Sequence, residues 1–154
     1  MDILESRNII CKLVYLLKRS TDEWINGSLC CGSHAEFNTA HVPLFMSIGT
    51  SGISNNELAK KLHVTKQAAS KAIKELEAIR LVKSEKNQAD ARSVMLYLTA
   101  DGEKFYHHLI NQVAALENEY KKAVGEENYH IAVKVMQQLI AYHGEHAVSC
   151  AAME

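Results

Sequence analysis

Residues 54–102 read SNNELAKKLHVTKQAASKAIKELEAIRLVKSEKNQADARSVMLYLTADG, and the apolar period changes along that run from helical to alternating. Ser54 stands three residues before Glu57, the spacing at which a serine hydroxyl and a glutamate carboxylate each take an orphan N–H of a helix start. A short helix is expected from there to about His63, and Thr65 can cap the next. Advancing that next helix by about 100° per residue gathers Ala68, Ala69, Ala72, Ile73, Leu76 and Ile79 on one arc. Lys66, Gln67, Ser70, Lys71, Lys74 and Glu77 fall on the opposite arc. The helix therefore has a small apolar back, suited to close crossing of a neighbour, and a polar, mostly basic front. Leu81 to Lys86 and Ser93 to Leu98 hold most of the local Val, Leu and Tyr around the polar tip NQADAR, the pattern of a hairpin with a loop longer than a tight turn.

Two short helices joined by a tight turn and followed by a hairpin form a winged helix-turn-helix, whose second helix enters the DNA major groove while the first positions it. The front carries suitable chemistry: Gln67 can pair bidentately with adenine, Ser70 can reach bases or phosphates, and lysines can meet phosphates or guanine. A charged helix face in isolation is usually a solvated surface, but this one lies between a capped helix and a hairpin. The contacts expected are Ser54, Thr65, Lys66, Gln67, Ser70, Lys71, Lys74 and Lys86. Charge points the same way: residues 54–98 hold nine basic and five acidic side chains, against eight and thirteen in the rest of the chain. A basic segment in an acidic frame suits a polyanion.

Outward from this segment the chain is helical. Before it, Ile3, Ile10, Leu17 and Trp24, with Leu13, Val14 and Leu16 beside them, predict a helix from Ile3 to Trp24 that ends at Asn26-Gly27. The stretch GSLCCGSHAEFN reads as a loop, and a second helix follows from about Thr39, as N-cap, to Ile48. Pro43 is tolerable only near the start of that helix. After the hairpin, Phe105, Leu109, Val113, Leu116 and Tyr120 form a helical stripe from Thr99 to Gly125. Ile131, Val135, Leu139 and Ile140 form another from Glu126 to Tyr142. The fold class is thus mainly α with a small β-hairpin wing. Residues 1–154 form one domain, with a winged helix-turn-helix at 39–99 and flanking helices at 1–27 and 100–143. Those flanks carry more apolar surface than so small a reading head can cover, which makes a homodimer interface their natural destination.

Residues 54–102 resemble the DNA-binding core of MarR-type transcription regulators, most specifically in Asp90-Ala91-Arg92 followed by Leu98-Thr99 and Gly102. The resemblance implies that Arg92 reaches into the minor groove and that Asp90 holds the wing in shape; a guanidinium suits that narrow, negative groove. It also implies interlocked dimerisation helices, a pseudo-palindromic operator with half-sites about 34–36 Å apart, and repression as the commoner outcome. Arg80 stands where the family often has glycine, and Pro43 lies later than the family's usual proline. A small aromatic effector is the family's usual signal.

Other signals are weaker. Cys11 lies where peroxide-sensing relatives carry a reactive thiol, yet a helical cysteine is more often an inert small hydrophobe. Cys30, Cys31, His41, His107 and His108 offer zinc-ligand chemistry in two regions that zinc-sensing relatives use, but without a C-x-x-C, and incidental cysteines and solvated histidines are the simpler account. No metal or other cofactor is therefore expected, with a zinc- or redox-responsive regulator as the alternative. A winged helix serving only protein interaction is a further alternative. No phosphate loop, nucleophile elbow or metalloprotease helix is present, so an enzyme is not expected. With four scattered cysteines, one proline, 47% hydrophobic and 23% charged residues, and no long apolar run or basic leader, the reading is a folded cytoplasmic protein with no membrane partner.

Overall fold

The computed structural model of the chain describes residues 9–29 and 34–146, in two compact units that divide after Gln112. The first begins with helix α1, Ile9–Leu29. It runs through Asn26-Gly27, where the sequence predicts an end. The cause is burial: Ile25 and Leu29, one turn apart, are 3% and 5% exposed, and burying both outweighs the roughly 1 kcal/mol cost of a helical glycine. The predicted start at Ile3 lies outside the described residues. A 3-10 turn, Thr39–His41, leads into α2, Val42–Ile48. Asn38, not Thr39, is the cap, its side-chain oxygen accepting from the Ala40 amide at 3.0 Å. Pro43 sits in the first turn of α2, where a missing N–H costs little.

Strand β1, Ile53–Ser54, precedes α3, Asn55–Lys61, and α4, Lys66–Ala78. The hairpin strands are β2, Val82–Lys86, and β3, Val94–Leu98. The sheet is antiparallel in the order β1-β3-β2, with Ile53 opposite Leu96 and Val82 opposite Leu98. Phe45, Ile48, Leu58, Leu76, Leu81, Leu96 and Leu109 are the largest fully buried side chains. The rings of Phe37, Phe45 and Phe105 meet with centroids 4.8 to 5.7 Å apart, close enough for edge-on attraction.

Helix α5, Ala100–Val124, begins at a tight junction. The Thr99 amide donates to the Leu81 carbonyl at 3.0 Å, its hydroxyl donates to the Arg80 carbonyl at 2.6 Å, and that hydroxyl accepts from the Gly102 amide at 2.9 Å. In the second unit Gly125, at φ 87°, separates the end of α5 from α6, Glu126–Glu145. There Lys121 Nζ lies 5.3 Å from the centre of the Tyr129 ring. Partial desolvation of the half-buried Tyr129 phenol, reinforced by Glu117, raises it above its usual 10.0. No side chain of α6 is buried. Among the described residues no helix is long and apolar enough to cross a membrane.

Candidate nucleic-acid interface

The capping box predicted at Ser54 is present. Ser54 Oγ accepts from the Glu57 amide at 3.2 Å, and Glu57 Oε2 accepts from the Ser54 amide at 3.3 Å. Thr65 Oγ1 likewise accepts from the Ala68 amide at 3.1 Å and starts α4. Between the two helices His63 takes φ 52°, and the Val64 amide returns to the Ala59 carbonyl at 3.1 Å. These bonds fix the direction in which α4 leaves the turn.

Helix α4 is two-sided, with one adjustment to the expected arc. Ala69, Ala72, Ile73 and Leu76 are buried, whereas Ala68 is exposed and Ile79 half-buried. On the helical wheel those two lie at one edge of the apolar arc, so the buried stripe is centred nearer Ala69 and Leu76. Lys66, Gln67, Ser70, Lys71 and Lys74 are all exposed and together line a shallow depression. Among the described residues no carboxylate pairs with Lys66, Lys71 or Lys74. Their ammonium groups are therefore available to an outside anion.

The wing loop between β2 and β3 is shaped from within. Asn87 Oδ1 accepts from the Ala89 amide at 3.0 Å, and Asn87 Nδ2 donates to Ser93 Oγ at 2.7 Å. Asp90 Oδ1 accepts from the Arg92 amide at 2.9 Å, and the Asp90 carbonyl accepts from the Ser93 amide at 3.2 Å. The Arg92 side chain is left exposed at the tip, as is Lys86 at the end of β2.

Of the sequence-predicted contacts, Lys66, Gln67, Ser70, Lys71, Lys74, Lys86 and Arg92 are exposed. Ser54 is only 8% exposed and its hydroxyl is committed to the Glu57 amide, so its observed role is to hold α3. Thr65 is exposed but caps α4, and Asp90 shapes the wing. Pattern reading missed Asn55, whose Oδ1 accepts from the Val94 amide at 3.1 Å and joins α3 to the wing. It also missed Glu77, which accepts from the Ser84 hydroxyl, and Glu75, whose Oε2 lies 2.5 Å from His41 Nε2. These pairs are distant in sequence or cross between elements, and only an asparagine beside a helix cap hinted at the first.

The residues with sensor chemistry are spread out. Cys11 is exposed on α1, His107 and His108 are exposed on α5, and Cys30 and Cys31 lie outside the described residues. Among the described residues no group of three or more His, Cys, Asp or Glu could hold a metal ion.

The sequence pattern of the MarR family matches residues 37–93, which run from the aromatic core through the wing tip. Over those residues, which hold the winged helix-turn-helix, the chain is similar to the MarR family. No curated protein matches the sequence. Among solved structures, the chain is similar to a MarR transcriptional regulator from Methanosarcina mazei, at TM-score 0.77 and 16% identity over 90% of this chain and 99% of that one. It is similar to a mutant MarR from E. coli complexed with operator DNA, at TM-score 0.75 and 20% identity over 90% and 99%. A third likeness is to PcaV from Streptomyces coelicolor in complex with its natural ligand, at TM-score 0.73 and 12% identity over 92% and 96%. At these identities the shared feature is the fold alone.

Proposed function

We propose that this MarR-family chain is a sequence-specific, double-stranded-DNA-binding transcription regulator, a repressor, acting in the cytoplasm as a homodimer on a pseudo-palindromic operator. The observation that carries the reading is the front of α4. Three exposed lysines with no carboxylate partner among the described residues surround Gln67 and Ser70 on one helix face, with Arg92 exposed at the wing. Lysines and arginine neutralise phosphates, and the amide and hydroxyl read base edges. A protein-interaction module would not need this set, and the reading includes no catalytic role.

The dimer is supported by apolar surface that a monomer would leave wet. Ile10, Leu13 and Val14 of α1 are 55%, 57% and 61% exposed, and in the second unit Ile131, Val135 and Leu139 of α6 are 53%, 45% and 43% exposed. Contiguous apolar faces of this kind mark association surfaces. A dimer covering two half-sites in a promoter obstructs transcription, which favours repression.

A small aromatic effector completes the proposal. PcaV was solved with its natural ligand. In this chain half-buried His34 and Tyr106 border the Phe37, Phe45 and Phe105 cluster, His34 lying 4.5 Å from Phe105 by ring centroid, which offers faces for stacking.

The test is a gel shift on the promoter beside the chain's own gene, repeated with Arg92→Ala and at several salt concentrations. Salt-dependent binding that weakens in the variant supports the reading. Absence of salt-dependent binding, or tight binding indifferent to Arg92, overturns it.

A further inference from the structure

Helix α4 carries an acid beside its basic front, and the fold restrains it. Glu75 follows Lys71 by four residues, so the two side chains share one strip of helix surface. Left free, the Glu75 carboxylate would lie within reach of the Lys71 ammonium and compete with a phosphate for it. It is instead engaged by His41, with Nε2 and Oε2 2.5 Å apart and side chains 15% and 46% exposed. His41 is itself held firmly. Its amide donates to the Asn38 carbonyl at 2.9 Å, and it immediately precedes α2, whose Val42, Leu44, Phe45 and Ile48 are buried. The turn that carries it also packs against α1.

We infer that His41 is a positioning residue that withholds the Glu75 carboxylate from Lys71 and so keeps that lysine available to DNA. The inference rests on the DNA-binding reading above and adds a control point to it. Because the 3-10 turn lies between α1 and α2, whatever shifts the turn changes the charge that α4 presents without altering a contact residue.

The experiment uses the full-length chain and a duplex selected from a random pool, with affinity measured against salt. His41→Ala should weaken binding about five-fold near 0.15 M salt and lower the salt slope by about 0.9, the signature of one lost phosphate contact. His41→Gln, which keeps a donor at that place, should retain wild-type affinity. Adding Glu75→Ala to His41→Ala should restore affinity and slope, because no carboxylate is left to compete. A tether that merely held α4 in place would not be rescued by removing its other half. Wild-type affinity in His41→Ala, or a loss that Glu75→Ala leaves uncorrected, overturns the role of His41 while leaving the DNA-binding reading intact. Failure of the wild-type chain to bind any selected duplex overturns that reading itself.

Discussion

The backbone amide of Arg92 donates to the Asp90 carboxylate at 2.9 Å, so the residue that shapes the wing and the residue the wing presents are joined by one bond. The Asp90 side chain closes a local turn, as aspartates do when they bond the backbone two residues on, and the exposed Arg92 guanidinium takes no part in it. The two residues therefore have separable effects. Arg92→Ala should lower both operator affinity and the salt slope. Asp90→Ala should weaken binding by about 0.5–1.5 kcal/mol, the worth of one hydrogen bond that orders the tip, with thermal stability nearly unchanged because the tip is exposed. Asp90→Asn keeps the oxygen acceptor and should bind like wild type. Titrations of the three variants at two salt concentrations check this; equal affinity of Asp90→Ala and wild type would show that the turn does not govern Arg92.

Gln67 and Lys74 occupy the same exposed face but should fail differently. An amide reads a base edge, so Gln67→Ala should cost about 1–3 kcal/mol on the preferred site and relax the preference at one position, with little change in salt slope. Lys74→Ala should weaken binding to all sequences alike and lower the slope by about 0.9. Selection from a random pool with each variant distinguishes the two. A Gln67→Ala variant with unaltered sequence preference would remove Gln67 from the base-reading set.

The exposed apolar side chains of α1 give the dimer a direct test. Leu13 is 57% exposed in the single chain, so Leu13→Glu should be almost neutral for a monomer, since surface substitutions usually fall within about 0.5 kcal/mol. In a dimer it would place a charge in an apolar interface. Sedimentation should show a dimer for wild type and a monomer for the variant, with operator affinity falling because two half-sites are no longer held together. A wild-type chain that sediments as a monomer at micromolar concentration would remove the dimer.

Gly102 should tolerate no side chain. A Cβ there would lie 2.0 Å from the Leu81 carbonyl oxygen, and that carbonyl is fixed by the Thr99 amide, so backbone and not a flexible tip would have to move. Gly102→Ala is expected to lose about 2–3 kcal/mol, at the upper end of overpacking effects, as read by urea unfolding. A loss below about 0.5 kcal/mol would mean that the junction between β2 and α5 yields.

The features legible in the sequence are those written in short-range spacing. Ser54 with Glu57, Thr65 before the basic helix, Asp90 with Arg92, and the break at Gly125 each depend on residues a few positions apart. Strand β1 was not legible, because two residues carry no period and Ile53 becomes a strand only by meeting Leu96. The end of α1 is not legible either, because Asn26-Gly27 is a local stop signal that tertiary burial of Ile25 and Leu29 overrides. Within the candidate site the exposed contact residues could be named from their types, whereas the tethers could not. Glu75 and His41 are 34 residues apart, and no periodicity announces that a glutamate on a basic face is held elsewhere.

Arg80 is the position where the chain departs from the family's frequent glycine, and its backbone has φ 61°. A residue with a Cβ in this left-handed region bears a steric cost of about 1–2 kcal/mol that glycine avoids. The conformation is required by its surroundings: the Arg80 amide donates to the Glu77 carbonyl at 2.9 Å while the Arg80 carbonyl accepts from the Thr99 hydroxyl at 2.6 Å. Arg80→Gly should relieve the strain but enlarge the unfolded ensemble, which offsets roughly 0.5–1 kcal/mol of the gain. The net expectation is a chain more stable by about 0.5 kcal/mol, and the exposed Arg80 side chain takes little packing with it. Arg80→Val should move the other way, because a β-branched residue at positive φ is more strained than arginine. Chemical unfolding of the three proteins ranks them. If Arg80→Gly proved less stable than wild type, the arginine side chain would have to hold the turn by contacts that outweigh its backbone strain.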